Sequence, residues 1–508
     1  MIRQYIASQL SIILQEWVEF TELPPIETPD SGYGDLASTV AFTLAKSLRK
    51  APALIAQELA ARWNDRYSYI GTAQSVNGFW NLTVDDQWLW EHRLNLQTPK
   101  FLLKPKRILL EFVSPNPTGP LHIGHGRWAV LGSTLATMLR AVGHQVDTEC
   151  YVNDAGVQIK KLLESVNAVK LNQPIPEDGY HGEYIRELAQ LNDHPVTVIL
   201  AQQQRVLSAL GTPFDDWFLE STLHQGSVIP DAIQALQQTG AVYELDGALW
   251  FRSTLWGDDK DRVLIKSDGN LTYFAVDVAY HQHKLSRSYD TLINIWGADH
   301  HGYVPRVRAA IQALAPQHST EFTVLIGQLV SVLKEGQPVR MSKRSGTMVV
   351  LEDILDEVGC DALRFMLLTK SADTPLEFDL SLLTQLTMEN PLYYVQYAHA
   401  RLSTMLRRAG DGPMGDQITG FSTTERRLVL YCLQWGDELG RAAELLLPNR
   451  LTQYALELAR LCHAAYETSP FLTATGEDWF RRKGVFEMAQ KQLATVLAMM
   501  GISAPDSM

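Results

Sequence analysis

The chain has 508 residues, 46% of them hydrophobic, and a formal net charge of −13. Domains usually hold about 100 to 200 residues, so this length predicts two to four domains with ample cores. The negative net charge argues against a nucleic-acid coat over the whole surface, although a local basic face can still hold phosphates. No apolar run reaches the roughly 18 residues that a membrane span needs. We therefore predict a cytoplasmic protein without a membrane segment.

The first hundred residues alternate helix-like and strand-like patterns. Glutamine and glutamate interrupt the N-terminal apolar residues, which argues against a signal peptide. One helical face there is shared by five residues: Ile6, Leu10, Ile13, Leu14 and Trp17. The stretch "SVNGFWNLTV" is strand-like. These patterns predict a small α+β domain over residues 1–100, and "QTPKFLLKPKR" is typical of a linker.

The next stretch has the order strand, loop, helix, strand. The apolar run "RILLEFV" predicts a strand, residues 126–142 predict a helix ended by Gly143, and "QVDTECYV" predicts the next strand. Between them lies "SPNPTGPLHIGHGR", at the carboxyl end of the first strand, where open α/β sheets bind ligands. A helix start favours an anion, and His122 and His125 can donate to phosphate oxygens there. Taken alone, H-x-x-H more often marks a structural turn with surface histidines.

Later segments complete a three-part organisation. Residues from about 160 to 245 are polar and helical, and we predict them to be an insertion in a domain that covers residues 101–380. Strand-like alternation returns in "ALWFRS", "RVLIKS" and "TLINIWGADHHGY". Residues 381–508 carry long helical periods and predict an all-helical domain.

A second polar, cationic loop precedes a helix at "VRMSKRSGTMVVLEDILDEVG". It carries Arg340, Lys343 and Arg344 among small residues. Such a loop suits a triphosphate whose charge builds up in a transition state. The alternative is a solvated basic loop, which is the usual meaning of three nearby cations.

Two motifs together carry a family resemblance. "HIGH" and "RMSKR" resemble the two ATP-site motifs of class I aminoacyl-tRNA synthetases, in that family's order. "SPNPTGPLHIGHGR", "NIWGADHHGYVPR", "NPLYYVQYAHAR" and "DALRF" narrow the resemblance to arginyl-tRNA synthetases, nearly end to end. It implies an α/β fold: a Rossmann-type class I catalytic domain, a small N-terminal α+β domain that contacts tRNA, and an all-helical C-terminal anticodon-binding domain.

The resemblance also implies an ATP site. The expected catalytic residues around the phosphates are His122, His125 and Lys343. The other expected ATP-binding residues are Gly119, Gly124, Gly297, Asp299, His300, Met341 and Ser342. Mg²⁺ is expected to arrive with the ATP. The second motif begins with Arg340 and ends with Arg344 where the family has lysine and serine, but Lys343 is retained.

Arginine as substrate needs a carboxylate in fixed geometry for its planar guanidinium. Tyr273 and Asp277 match the family positions that hold the guanidinium, and Glu111, Asn116 and His301 match other positions of the amino-acid pocket. Without the family, Asp277 would be interpreted as a paired core carboxylate and Tyr273 as packing.

Binding of tRNA needs aromatic platforms and cations. "LYYVQYAHARLSTMLRR" supplies both in Tyr393, Tyr394, Tyr397 and Arg401, part of which share a helical face. An aromatic stripe on a helix can also be core. The partners implied are tRNA(Arg), L-arginine and ATP, and the family implies a monomer.

The four cysteines are too far apart for any C-x-x-C pair, so we predict no zinc and no other resident metal. One alternative is a class I synthetase for another amino acid, such as cysteine or lysine. The cysteine spacing argues against a cysteine-specific enzyme, because its pocket would be expected to carry zinc ligands. A second alternative is a catalytically silent tRNA-binding paralogue. Intact His122, His125 and Lys343 argue against it.

Overall fold

The computed structural model describes residues 2–19, 22–29, 32–97, 104–315, 320–339, 350–410 and 418–508. The predicted second ATP motif falls in residues 340–349, so the predicted site residues Met341, Ser342 and Lys343 lie outside the described residues. The first elements along the chain are α1 (Ile2–Gln15), β1 (Leu36–Ser38), α2 (Val40–Leu48), α3 (Pro52–Tyr67), β2 (Gly71–Val76), β3 (Phe79–Val84) and α4 (Asp86–Gln97).

These elements form a small α+β unit. The strands make an antiparallel sheet in the order β1-β3-β2. Helix α1 buries the predicted face from Ile6 to Leu14, whereas Trp17, predicted on the same face, lies beyond the end of the helix at Gln15 and is half-buried. In α3, the indole of Trp63 donates to the carbonyl of Gly71 at 3.1 Å, which fixes the helix against the sheet.

The middle of the chain contains the following elements in order. They are β4 (Arg107–Glu111), α5 (Ile123–Ala141), β5 (Gln145–Val152), α6 (Gly156–Lys170), α7 (Glu183–Gln190), α8 (Pro195–Ala209), β6 (Asp216–Leu219), α9 (Val228–Gln238), β7 (Val242–Leu245), β8 (Ala248–Phe251), β9 (Arg262–Ile265), α10 (Tyr273–Ser286), β10 (Thr291–Gly297), α11 (Val304–Leu314), β11 (Glu321–Gly327), β12 (Val330–Lys334), β13 (Gln337–Pro338), α12 (Leu351–Val358), α13 (Cys360–Leu367), β14 (Leu376–Asp379) and α14 (Leu380–Leu383).

A five-stranded parallel sheet with the order β11-β10-β4-β5-β6 forms the centre. The chain runs outward from β4 to β5 and β6, and later adds β10 on the opposite side of β4. Such a reversal of strand order opens a crevice at the carboxyl ends of the strands, where α/β proteins bind ligands. The crevice therefore lies between the ends of β4 and β10.

The structure differs from the sequence prediction in two details. Strand β6 lies within the region predicted as an insertion, yet it pairs with β5 in the central sheet. Its four residues are too few to show a clear strand alternation. Helix α5 begins at Ile123, three residues before the predicted start, because the histidine motif itself caps the helix. Gly143 adopts a positive φ of 101°, as expected for a C′ residue.

The C-terminal part is helical, as predicted. Its elements are α15 (Pro391–Ala409), α16 (Thr423–Leu433), α17 (Trp435–Glu444), α18 (Asn449–Thr468) and α19 (Gly476–Met499). Arg364, from the "DALRF" stretch, is buried where this bundle meets α5 and the end of α8. Its guanidinium donates to the carbonyls of Met500 at 2.7 Å and Leu210 at 2.8 Å.

Candidate active site

The predicted first ATP motif, "HIGH", forms the start of α5 through a reciprocal cap. Nδ1 of His122 accepts the backbone N–H of Gly124 at 3.1 Å, and Nδ1 of His125 accepts the backbone N–H of His122 at 3.2 Å. The two rings stack with centroids 3.7 Å apart. Because each Nδ1 is an acceptor, a neutral ring carries its proton on Nε2. Each Nε2 is therefore a donor at a helix N-terminus, which suits phosphate oxygens.

A cavity of about 610 Å³ opens at this crevice. It brings together the first motif, the end of β4, one face of α10 and the segment that follows β10. The residues that line it and that the sequence singled out are Glu111, Asn116, His122, His125, Tyr273, Asp277, Gly297, Asp299 and His300. Most of the predicted ATP- and arginine-binding residues that the structure describes therefore line one cavity.

Three predicted residues do not line the cavity. His301 is exposed on the short 3₁₀ helix Ala298–Tyr303. Gly119 and Gly124 belong to the loop and first turn beside the cavity. The Gly119 carbonyl accepts from Nε2 of Gln203 at 2.9 Å, so helix α8 holds this loop from behind.

Asp277 is the most perturbed carboxyl group in the cavity. Burial, followed by the nearby charges of Glu111 and Glu220, raises the pKa of Asp277 to about 8. The cations Arg306 and Lys284 only partly offset this. A carboxyl group in this state gains most from a cation brought next to it. Tyr273 lies one helical turn earlier and is 64% exposed.

The negative charge of Glu111 is balanced by a cation within the protein. Its Oε2 accepts hydrogen bonds from the buried Lys284 ammonium and from Nδ2 of Asn294 at 3.0 Å. Although burial opposes ionisation, Lys284 holds the pKa of Glu111 below its usual value. Its Oε1 accepts from the Ser114 hydroxyl at 3.0 Å. Because Lys284 already pairs with Glu111, Asp277 has more to gain than Glu111 from a cation placed in the cavity.

The turn after β4 is held in an unusual backbone conformation. Val113 and Ser114 have φ values of 72° and 40°, in the left-handed region that non-glycine residues rarely adopt. The Ser114 hydroxyl also accepts the backbone N–H of Tyr151 at 3.3 Å. This network fixes the point where the chain leaves the sheet and turns toward the histidine motif.

The chain returns to the histidines directly after residues 340–349. Val350 forms an antiparallel bridge with His122, and the backbone N–H of Leu351 donates to the carbonyl of Leu121 at 2.8 Å. Val350 and Leu351, which directly follow residues 340–349 in the chain, are therefore held at the histidine turn.

Several cavity residues were missed from the sequence: Tyr151, Asn153, Glu220, Tyr280, His281, Asn294 and Trp296. One signal was available for two of them. The cavity residues of α10 are Tyr273, Val276, Asp277, Tyr280 and His281, at helical spacings of three and four. Extending the predicted Tyr273–Asp277 face by one turn identifies Tyr280 and His281. No comparable pattern marks Glu220. This residue directly follows β6 and is brought to the cavity by the pairing of β6 with β5.

The predicted tRNA residues lie along one side of α15. The rings of Tyr393 and Tyr397 stack 5.8 Å apart, whereas Tyr394 packs on His463 at 4.8 Å. The Arg401 guanidinium lies 3.6 Å from the ring centroid of Tyr466. A second cavity, of about 230 Å³, is lined by Tyr397, Ala400, Arg401, Thr404, Met405, Arg408, Tyr466, Leu472 and Met508. All four predicted residues are half-buried, so they are neither fully core nor fully exposed.

The described residues contain neither a membrane-spanning helix nor a cluster of metal ligands. None of their helices is long and apolar enough to cross a membrane. Within the same part of the chain, no three His, Cys, Asp or Glu side chains are grouped so that they could hold a metal ion.

Family models match almost the whole chain. The arginyl-tRNA synthetase N-terminal domain matches residues 1–84, the class I (R) tRNA synthetase catalytic domain matches residues 91–192 and 180–373, and the DALR anticodon-binding domain matches residues 395–508. The arginine–tRNA ligase of Bacillus licheniformis is 38% identical over 96% of both chains. That of Bacillus subtilis is 38% identical over 99% of this chain and 100% of its own.

Solved structures show the same fold. The Thermus thermophilus arginyl-tRNA synthetase superimposes with a TM-score of 0.82, at 24% identity and full coverage of both chains. The Plasmodium falciparum arginyl-tRNA synthetase has a TM-score of 0.78 at 14% identity, over 100% of this chain and 99% of its own. The matched models and the curated relatives cover every part of this fold, and the chain belongs to the arginyl-tRNA synthetase family.

Proposed function

We propose that this protein is an arginine–tRNA ligase, which activates L-arginine with ATP and transfers it to tRNA(Arg). The observation that carries the proposal is the single cavity at the β4–β10 crevice. There the phosphate-directed histidines of α5 and the acidic face of α10 share one space. A nucleotide and a guanidino amino acid can therefore meet in one site.

The reaction needs no covalent protein nucleophile. An oxygen of the arginine α-carboxylate attacks the α-phosphorus of ATP, the bond to the β-phosphate breaks, and pyrophosphate leaves. A ribose hydroxyl of the terminal adenosine of tRNA then attacks the adenylate carbonyl, and AMP leaves. The protein contributes positioning and charge stabilisation, with His122, His125 and Lys343 around the phosphates and Mg²⁺ arriving with ATP.

The proposed arginine pocket is rich in hydrogen-bond acceptors. Asp277 offers a carboxylate. Oδ1 of Asn153 and Nε2 of His281 are buried atoms that find no hydrogen-bond partner among the residues the structure describes. A guanidinium has five N–H donors and no acceptor, so it complements such a lining. Glu111, Asn116 and Tyr273 complete the proposed amino-acid pocket.

We place the ATP base and ribose near Gly297, Asp299 and His300, and the triphosphate between the histidines and the segment with Met341, Ser342 and Lys343.

For tRNA, we propose that Tyr393, Tyr394, Tyr397 and Arg401 contribute to anticodon binding, with the second cavity as a base-sized recess beside Tyr397 and Arg401. We further propose domains at 1–100, 101–380 and 381–508, a cytoplasmic location and a monomer.

We expect pyrophosphate exchange into ATP only with arginine, and only when tRNA is present. The tRNA requirement is what the family resemblance implies. The measurement is exchange with each of the twenty amino acids, with and without tRNA. Exchange with another amino acid would favour the alternative of a different synthetase. Binding of tRNA without any exchange would favour the silent paralogue.

We expect arginine binding to weaken as pH falls below about 8. The ionised carboxylate of Asp277 pairs with the guanidinium, and its pKa without substrate is raised to about 8. Binding at lower pH must therefore release a proton. One-proton linkage predicts a dissociation constant that is on the order of a hundredfold larger near pH 6 than near pH 9. Titration calorimetry of arginine, with tRNA and a non-hydrolysable ATP analogue present, measures this slope.

The control for the pH experiment is Asp277→Asn, which should bind arginine weakly and without this slope. A wild-type dissociation constant that stays constant over the same range would contradict the assignment of Asp277 to the guanidinium. Affinity for the ATP analogue measured alone serves as the reference for pH effects elsewhere in the site.

A further inference from the structure

His281 lies one helical turn beyond Asp277 and lines the same cavity. The side chain is only 2% exposed. Its ring is held edge-to-face against Phe322, with centroids 5.7 Å apart, and against Tyr280. A buried imidazole in a substrate cavity needs a partner for both ring nitrogens, because a buried polar atom without one is costly.

Among the described residues, only one of the two ring nitrogens has a hydrogen-bond partner. Nδ1 lies 2.8 Å from the backbone carbonyl oxygen of Asp277. A carbonyl only accepts, so Nδ1 carries the proton and donates. Burial, followed by the charge of nearby Lys284, lowers the pKa of His281 to about 3, so the ring is neutral. Nε2 is therefore an unprotonated acceptor, and it is buried without a partner in the described part of the chain.

We propose that Nε2 of His281 accepts a hydrogen bond from the guanidinium of the bound arginine and that His281 is a specificity-determining residue of the arginine site. The proposal rests on the proposed function and adds a residue to it. The backbone of Asp277 fixes the tautomer of His281, and the side chain of Asp277 supplies the charge. One turn of α10 then presents a carboxylate and a neutral acceptor to the same planar group.

The chemistry also favours arginine over its neutral analogue. Citrulline replaces one guanidinium NH₂ by a carbonyl oxygen. If that oxygen faced Nε2 of His281, two acceptors would meet without a proton between them. Selection against such an analogue is large when a buried polar group is left unpaired. In this structure the Lys284 ammonium donates to Glu111 and, at 3.4 Å, to Oδ1 of Asn294, and not to Nε2 of His281.

Two substitutions separate recognition from structure. His281→Asn keeps a donor at the Nδ1 position for the Asp277 carbonyl but removes the acceptor at the Nε2 position. His281→Gln gives up the Nδ1 donor but places an amide oxygen near the Nε2 position. A recognition role predicts that Asn is the damaging change, whereas a purely structural role predicts that Gln is.

The experiment is arginine-dependent exchange with tRNA present, performed on the full chain. We expect His281→Asn to raise the KM for arginine roughly 10- to 100-fold, the loss of one hydrogen bond to a charged donor, while the KM for ATP stays within about twofold. His281→Gln should lie closer to wild type. His283→Asn is the matched control, since His283 is on the same helix but packs on Phe218, 5.0 Å away, and does not line the cavity.

The outcomes are distinguishable from failure of the proposed function. If the wild-type protein shows no arginine-dependent exchange, the proposed function fails. If the wild type is active but His281→Asn binds arginine normally, or His281→Gln is the more damaging change, the His281 proposal alone is overturned. An equal rise in the KM for arginine and ATP in His281→Asn, together with a lower unfolding temperature, would also overturn it, because that pattern indicates a structural role.

Discussion

Replacement of Asp277 by alanine is expected to raise the arginine concentration for half-maximal exchange roughly 30- to 1000-fold. The change removes a charge-assisted contact to the guanidinium, which is worth about 2 to 4 kcal/mol. The KM for ATP should change little, because the phosphate-directed histidines lie on α5 and not on α10. Steady-state exchange with arginine and ATP varied separately measures both. Equal losses for the two substrates would show that the variant is misfolded.

Asp277→Asn tests the same contact without creating a cavity. The pKa of Asp277 is raised from 3.8 to about 8 in the folded protein. Folding therefore favours the protonated form, and the stability that depends on this group is lost as pH rises from about 4 through 8. A neutral amide removes that penalty. We expect the Asp277→Asn variant to unfold at a higher temperature than wild type above about pH 8, although it binds arginine poorly.

This opposite change in stability and binding is typical of a site built for a charged substrate. Asp299→Asn is a useful comparison, because Asp299 lines the same cavity with its side chain 81% exposed. Its replacement should affect the KM for ATP more than the KM for arginine. If Asp277→Asn proved less stable than wild type above about pH 8, the ionisation argument would be contradicted.

Replacement of Arg364 by methionine is expected to destabilise the protein by about 3 to 5 kcal/mol, because several buried acceptors would lose their donor together. The side chain is 2% exposed. Its acceptors belong to three parts of the chain: the carbonyls of Met500, Leu210 and Gly211, and the hydroxyls of Ser133 and Thr134. The side chain therefore joins α5, the end of α8 and the end of the C-terminal bundle.

The thermal unfolding midpoint of Arg364→Met measures this effect. Arg364→Lys should fall between wild type and the methionine variant, since one ammonium cannot satisfy acceptors in several directions. Arg441→Met is the control, because Arg441 is on the surface of α17 with its side chain 55% exposed and pairs only with Glu444 in the contacts described. Equal midpoints for Arg364→Met and Arg441→Met would contradict the junction role.

Local sequence patterns determined much of the framework. The β4-loop-α5-β5 unit follows from a short apolar strand, a glycine-rich loop and a helical period, all within about fifty residues. The buried face of α1 and the C′ glycine at Gly143 follow from equally local rules. The family could be identified because the sequence combines a phosphate-binding loop with matching motifs far along the chain. The same resemblance predicted Tyr273 and Asp277.

Only the tertiary structure decided what each side chain faces. Glu111 and Lys284 are 173 positions apart, and their pairing depends on the packing of α10 against the central sheet. This pairing balances the charge of Glu111 and lowers its pKa. Asp277 lies on the same helix as Lys284, yet its pKa is raised. The periodicity of a sequence predicts which residues share one face of a helix, but it does not predict which charged groups pack against that face. The sequence could therefore not predict the desolvation of Asp277, nor the Nε2 of His281 that has no hydrogen-bond partner among the described residues, because both depend on groups brought together only by folding.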